Sequence, residues 1–146
     1  MKITIEESPS CAEEEIIFRC HAINSSVLSL MEKLRTVSSS SLIGSKGEFI
    51  ASIRFKDIYY VEANENKTFL YLDKDIYESK QKLYELERLL PQESFFRCSK
   101  SLILNCDKID CLKASFNGRF EARLLNGENV VINRQYVPIL KERLGI

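Results

Sequence analysis

Ten β-prone runs of three to seven residues, most of them separated by polar turns too short to hold a crossover helix, limit what this chain can fold into. Five of them, at 42–45, 48–52, 58–63, 68–73 and 75–77, are punctuated by Gly-Ser-Lys-Gly at 44–47, Glu-Asn-Lys at 65–67 and Asp-Lys-Asp at 73–75. Such turns join neighbouring strands directly, so antiparallel pairing is predicted and a doubly wound parallel sheet is disfavoured. One helix interrupts the pattern at 80–90, where Leu83, Leu86 and Leu90 form a stripe with Tyr84 and Pro91 stops it. Five further runs follow, at 95–97, 102–104, 109–115, 119–124 and 129–132. Phe-Asn-Gly-Arg at 116–119 and Leu-Asn-Gly-Glu at 125–128 are strong hairpin signals between the last three. A helix over 136–144 closes the chain, with Val137, Leu140 and Leu144 on one face and Gly145 at its end. The expected class is a β-rich α+β fold with peripheral helices.

The first forty residues have a different pattern. Residues 2–6 alternate polar and apolar, residues 15–20 form a second β-prone run, and Asn24 is placed to cap a helix over 25–35. The serine run at 38–41 then reads as a linker. The predicted organisation is a small ββα-like extension over 1–40 and a main domain over 41–146. The extension is expected to pack against that domain, to dimerise or to meet a partner.

With 45% hydrophobic and 29% charged residues among 146, the composition is that of a globular protein. No apolar stretch approaches the roughly 20 residues of a membrane span, and the N-terminus lacks the basic-then-apolar order of a secretory signal. Cys11, Cys20, Cys98, Cys106 and Cys111 form no Cys-x-x-Cys pair, which points to reduced thiols in a cytoplasm rather than to disulfides or zinc. Cys98 stands beside Arg97 and near Lys100, so a lowered thiol pKa and oxidation are weighed against the commoner use as core filling. Net charge is zero overall, but residues 1–36 carry four Lys/Arg against six Asp/Glu, whereas residues 97–146 carry nine against five. The positive excess lies at the C-terminal end.

Within that end, two strand-like runs are interrupted by side chains suited to phosphate and base edges. FFRCSKSLILN at 95–105 presents Arg97, Ser99, Lys100 and Ser101, and VVINRQY at 130–136 presents Asn133, Arg134 and Gln135. Catalysis is not expected, because the single histidine, His21, lies far in sequence from Cys98, Ser99 and Ser101. Glu62 and Glu65 read as solvated turn residues rather than an acid/base pair. Neither a cofactor, a metal nor a small-molecule substrate is called for. A non-enzymatic protein-interaction or RNA-binding module remains the rival, with Phe95, Phe96, Phe116 and Phe120 as stacking platforms, although core burial explains those rings better.

From about Ser41 onward the chain resembles the LytTR DNA-binding domains of bacterial response regulators. DIYYVEANENKTFLYL at 57–72, the helix YELERLLP, FFRCSKSLILNCDKI, LLNGENVVINRQY and the final helix carry the resemblance, in order. It implies about ten strands in three antiparallel sheets that insert loops, not a recognition helix, into successive major grooves. It also implies a sequence-specific transcriptional regulator. By that resemblance Asn66, Lys67, Lys100 and Arg134 are candidates for base contacts, with Arg134 the strongest, and Ser99, Ser101, Asn133 and Gln135 for phosphate contacts. Arg97 and Asn105 are expected to be structural, through a carboxylate partner and a turn respectively, and Asn133 has a simpler role open to it, capping the last helix. Family members commonly have His-Arg where this chain has Ser99-Lys100, and Ser where it has Asn133, which implies an altered base preference. They usually carry a phosphorylated receiver domain as well. Only about forty residues precede the resemblance here, so control is expected through abundance, homodimerisation or a regulatory membrane-protein partner. Double-stranded DNA with paired half-sites is the expected ligand.

Overall fold

The computed structural model describes residues 1–10, 12, 15–38 and 40–146. Cys11 and Ser39, which fall in the cysteine set and the expected linker, lie outside the described residues together with Glu13 and Glu14. Two compact units result, Met1–Leu34 and Arg35–Ile146.

In the first unit the predicted strands at 2–6 and 15–20 do not form, so the extension is not ββα. Alternation of side chains alone leaves backbone N–H and C=O groups unpaired, and among the described residues these runs have no ladder to join. The helix does form, as α1 (Ser25–Ser38), and Asn24 caps it: its Oδ1 accepts the Val27 N–H at 3.0 Å.

The second unit contains ten strands: β1 (Ser41–Lys46), β2 (Phe49–Arg54), β3 (Tyr60–Asn64), β4 (Lys67–Tyr71), β5 (Ile76–Ser79), β6 (Phe95–Arg97), β7 (Leu102–Asn105), β8 (Ile109–Ala114), β9 (Phe120–Leu124) and β10 (Asn129–Ile132). Between β5 and β6 lies α2 (Leu83–Leu89), and α3 (Val137–Leu144) ends the chain. Every pairing is antiparallel. The strands form two hydrogen-bonded sheets, not three: a seven-stranded one ordered β2-β1-β5-β4-β3-β7-β6 and a three-stranded one ordered β10-β9-β8. The difference rests on one bridge, Ser45 opposite Glu78, which welds the β1–β2 hairpin to β5. Gly44 makes the approach possible, since a Cβ there would meet Ile53 Cδ1 at 2.5 Å and Tyr77 Cβ at 2.8 Å.

The apolar runs of β6 and β7 have a physical cause in this arrangement. Consecutive residues of a strand point to opposite faces, and here both faces are covered. Phe95 and Ile103 enter a core with Val61, Leu70 and the α2 residues Leu83 and Leu86, whereas Phe96 and Leu104 enter a second core with Ala122, Leu124, Ile132 and Leu140. Leu86 and Leu140 are wholly buried, so truncating either to alanine is expected to cost about 2–5 kcal/mol. β6 and β7 are thus clamped from two sides, and the segment joining them is held at a fixed place.

Candidate nucleic-acid interface

Three segments carry the residues singled out by the sequence, and two backbone hydrogen bonds stitch them together. The Ala63 N–H donates to the Ser101 carbonyl at 2.8 Å, which ties the β3–β4 turn to the β6–β7 loop. The Asn133 N–H donates to the Cys98 carbonyl at 2.9 Å, which ties that same loop to the segment after β10. Backbone bonds of this kind set the spacing of the loops whatever their side chains do.

In the first segment, Glu65 and Asn66 both take positive φ, 49° and 64°, giving the tight turn that a two-residue antiparallel connection needs. Asn66 and Lys67 are exposed there. Together with Lys82 and Lys100 they line an open cleft of ≈ 310 Å³. Lys67 Nζ lies 4.0 Å from Glu78 Oε2, and with both side chains largely in water this pair is a weak constraint. Lys82 was not legible as a site residue, because nothing in linear order says that the start of α2 faces the β3–β4 turn.

The second segment is shaped by Arg97. Its guanidinium pairs with Glu87 Oε2 on α2 at 2.8 Å, and its Nε donates to the Ser99 carbonyl at 2.8 Å. A further hydrogen bond runs from its NH2 group to the Lys100 carbonyl. Arg97 therefore spends its fork on holding the loop, in keeping with the structural role expected for it. Ser99 is half-buried and its hydroxyl accepts the Ser101 N–H at 3.2 Å, which closes the loop on itself. Lys100 and Ser101 stand out into solvent. Asn105 is buried and structural too: Nδ2 donates to the Ile58 carbonyl at 2.8 Å, and Oδ1 accepts the Asp107 N–H at 3.0 Å. Cys98 is fully buried, and burial pushes its thiol up to about 12 despite the opposing influence of Arg97. Full burial is what core filling requires, and it removes the exposure that a redox-sensing thiol needs.

The third segment leaves β10 at half-buried Asn133 and turns through a single 3-10 turn, Arg134–Tyr136. Asn133 does not cap this turn with its side chain; its backbone carbonyl accepts the Tyr136 N–H at 2.9 Å instead. Arg134 and Gln135 are exposed. Arg134 does not line the cleft formed by Asn66, Lys67 and Lys100, and its stem lies instead against Gly118, in the β8–β9 turn. Among the described residues neither Lys100 nor Arg134 enters an ion pair, so both retain full hydrogen-bonding capacity.

The aromatic residues divide. Phe95 and Phe96 are buried and Phe120 is half-buried, as core packing predicts, but Phe116 is 87% exposed at the tip of the β8–β9 turn. Core burial was the wrong expectation for that one ring: the β8–β9 hairpin carries it beyond the edge of the second core.

Comparison with known proteins fits this geometry. The profile of the LytTr DNA-binding domain matches residues 48–145. The sensory transduction protein LytT of Enterococcus faecalis is 34% identical over 91 residues, 62% of this chain and 38% of the relative. Transcriptional regulatory protein YpdB of Escherichia coli K12 is 37% identical over 79 residues, 54% of this chain and 32% of the relative. The chain thus spans less than two fifths of the length of these two curated relatives. An uncharacterised HTH-type transcriptional regulator of Staphylococcus aureus is 30% identical over 148 residues, covering 100% of this chain and 99% of its own length. Among solved structures, the LytTr DNA-binding domain of a Bacillus cereus protein described as a methyl-accepting/DNA response regulator superposes with a TM-score of 0.70 at 28% identity, over 73% of this chain and 98% of that one. The chain belongs to the LytTr DNA-binding domain family.

Proposed function

We propose that this chain binds a specific double-stranded DNA site by presenting its three stitched loops to successive major grooves, and that it regulates transcription by doing so. The family is one of DNA-binding domains and not of enzymes. The observation that carries the finer proposal is the pair of backbone bonds, Ala63 to Ser101 and Asn133 to Cys98, which gathers cationic and amide side chains from three distant stretches of sequence into adjoining loops. Arg134, which pairs with no carboxylate among the described residues, is assigned a bidentate contact with guanine O6 and N7. Lys100, Lys67 and Asn66 are assigned base edges beside it. Ser101, Asn133 and Gln135 are assigned phosphate contacts that set register, as is Ser99, whose hydroxyl is already partly engaged within its loop.

The rival, a single-stranded RNA or protein-interaction module, loses two of its four stacking platforms because Phe95 and Phe96 are in the cores, and a third, Phe120, is half-buried against one of them. Titration of duplex and single-stranded probes at several salt concentrations separates the two. A duplex reader prefers one double-stranded sequence with a steep salt slope, whereas equal affinity for single strands favours the rival. On the preferred duplex Arg134→Ala is expected to cost about 1–3 kcal/mol and to relax preference at one base pair. An unaltered binding profile removes Arg134 from the interface.

Binding to paired half-sites follows from the limited span of one such module, since two linked modules gain affinity. The unit Met1–Leu34 leaves Ile3, Ile5, Ile16, Ile17 and Ile23 exposed, a set of apolar side chains suited to contact with a second copy or with a regulatory membrane protein. No helix among the described residues is long and apolar enough to cross a membrane, and we place the protein with its DNA in the cytoplasm. Deleting residues 1–40 tests the extension: unchanged self-association and regulation in the shortened protein dismiss the contact.

A further inference from the structure

Arg134 is exposed, makes no ion pair among the described residues, and belongs to a single 3-10 turn, so something has to hold its long side chain if it is to read a base rather than sample rotamers. The structure supplies a seat. A Cβ built on Gly118 would lie 3.1 Å from Arg134 Cγ, 3.2 Å from Cδ and 3.5 Å from Nε, so the aliphatic stem of the arginine crosses the bare backbone of the β8–β9 turn. Gly118 has φ +74°, preceded by Asn117 at φ 58°, a backbone that exposes its Cα to the stem. The turn is itself rigid: the Ser115 N–H donates to the Arg119 carbonyl at 2.8 Å, and the Arg119 N–H to the Phe116 carbonyl at 3.2 Å. On the same turn stand the exposed ring of Phe116 and an exposed Arg119 with no ion pair among the described residues.

We propose that the β8–β9 turn, 115–119, is a fourth element of the DNA interface, in which Gly118 positions the guanidinium of Arg134 and Arg119 donates to a backbone phosphate. The inference rests on the assignment of Arg134 to a base contact. It adds to the three loops a hairpin tip whose Asn-Gly dipeptide serves recognition as well as reversal of the chain. Gly118 is a positioning residue, acting only through Arg134. Arg119 sits next to that seat, where a flexible cation reaches the phosphate beside the base pair being read and adds to affinity without selecting sequence.

The test uses the full chain and a duplex selected by the wild-type protein from a randomised pool, with a scrambled duplex beside it. Gly118→Asn keeps a residue that tolerates positive φ but fills the seat, and Gly127→Asn is its control, because Gly127 also has positive φ (+87°) with nothing within 4 Å. Gly118→Asn is expected to lose about tenfold in preference for the selected duplex over the scrambled one, and Gly127→Asn none. In an Arg134→Ala background the Gly118 effect is expected to vanish, which a merely structural role does not predict. Arg119→Ala is expected to lower the salt slope by about one unit on both duplexes. Wild-type preference from Gly118→Asn, or an equal loss with and without Arg134, overturns the seat, and an unchanged slope in Arg119→Ala overturns the phosphate contact. If Arg134→Ala alone binds the selected duplex as the wild type does, the base-contact assignment has failed first, and the seat falls with it.

Discussion

At Asn117–Gly118 the chain reverses with both residues at positive φ, 58° and 74°, whereas at Asn126–Gly127 only the glycine is left-handed, at 87°. These are the same dipeptide in consecutive hairpins of one sheet, and they are built differently. In the second, the Asn126 side chain works for the fold: Oδ1 accepts the Glu128 N–H at 3.1 Å and Nδ2 donates to the Asp73 carbonyl at 3.4 Å, fastening the turn to the β4–β5 connection. In the first, the glycine lies beneath Arg134. An Asn-Gly pair between apolar runs therefore predicts that the chain turns, while the turn type and its use follow from what packs on it.

The largest effect that sharpens this contrast is expected at the side chain that rests on the first turn. Arg134→Lys keeps the charge but replaces a planar fork with a point donor, so it is expected to cost about 1–3 kcal/mol on the specific duplex and little on a scrambled one. Fluorescence anisotropy on both probes reads the difference. Equal affinity of the lysine variant for the specific duplex means that Arg134 acts as a charge only, and the distinction between the two turns loses its functional half.

Next in size are changes at the second turn, which are expected to affect stability alone. Gly127→Ala meets no neighbour within 4 Å, so its whole cost is backbone, about 1–2 kcal/mol for an alanine held left-handed. Asn126→Ala removes two hydrogen bonds at an exposed site and is expected to cost about 0.5–1.5 kcal/mol. Urea denaturation measures both, with DNA affinity as the counter-measurement. A loss of specific binding in either variant would break the comparison.

The same contrast shows what was legible in the sequence and what was not. The ten strands of residues 41–146, their antiparallel pairing and the three helices were readable because short runs bounded by Gly, Asn and Asp leave no alternative connection. The count of sheets was not readable, since it depends on the single Ser45–Glu78 bridge. Nor was the fate of residues 2–6 and 15–20, whose alternation is strand-like but which find no ladder. At the site, Arg97 and Asn105 were legible as structural by type, but their partners Glu87 and Ile58 come from elsewhere in the chain. Gly118 was invisible as a site residue because a missing side chain signals only a turn until its neighbour across space is known.

The smallest effect concerns a third tight turn, where β3 meets β4. Glu65 occupies a left-handed position, φ 49°, that the turns of the three-stranded sheet give to Asn or Gly. A glutamate gains nothing from that backbone, and its negative charge stands beside Asn66 and Lys67, in the turn assigned to DNA. Glu65→Asn is therefore expected to stabilise the fold by about 0.5–1 kcal/mol and to tighten duplex binding by up to about 1 kcal/mol at low salt, fading as salt screens the exposed charge. Tighter binding without added stability assigns Glu65 a purely electrostatic role. Added stability with weaker specific binding indicates instead that Glu65 selects among duplexes, keeping a strained residue at the interface to reject the wrong ones.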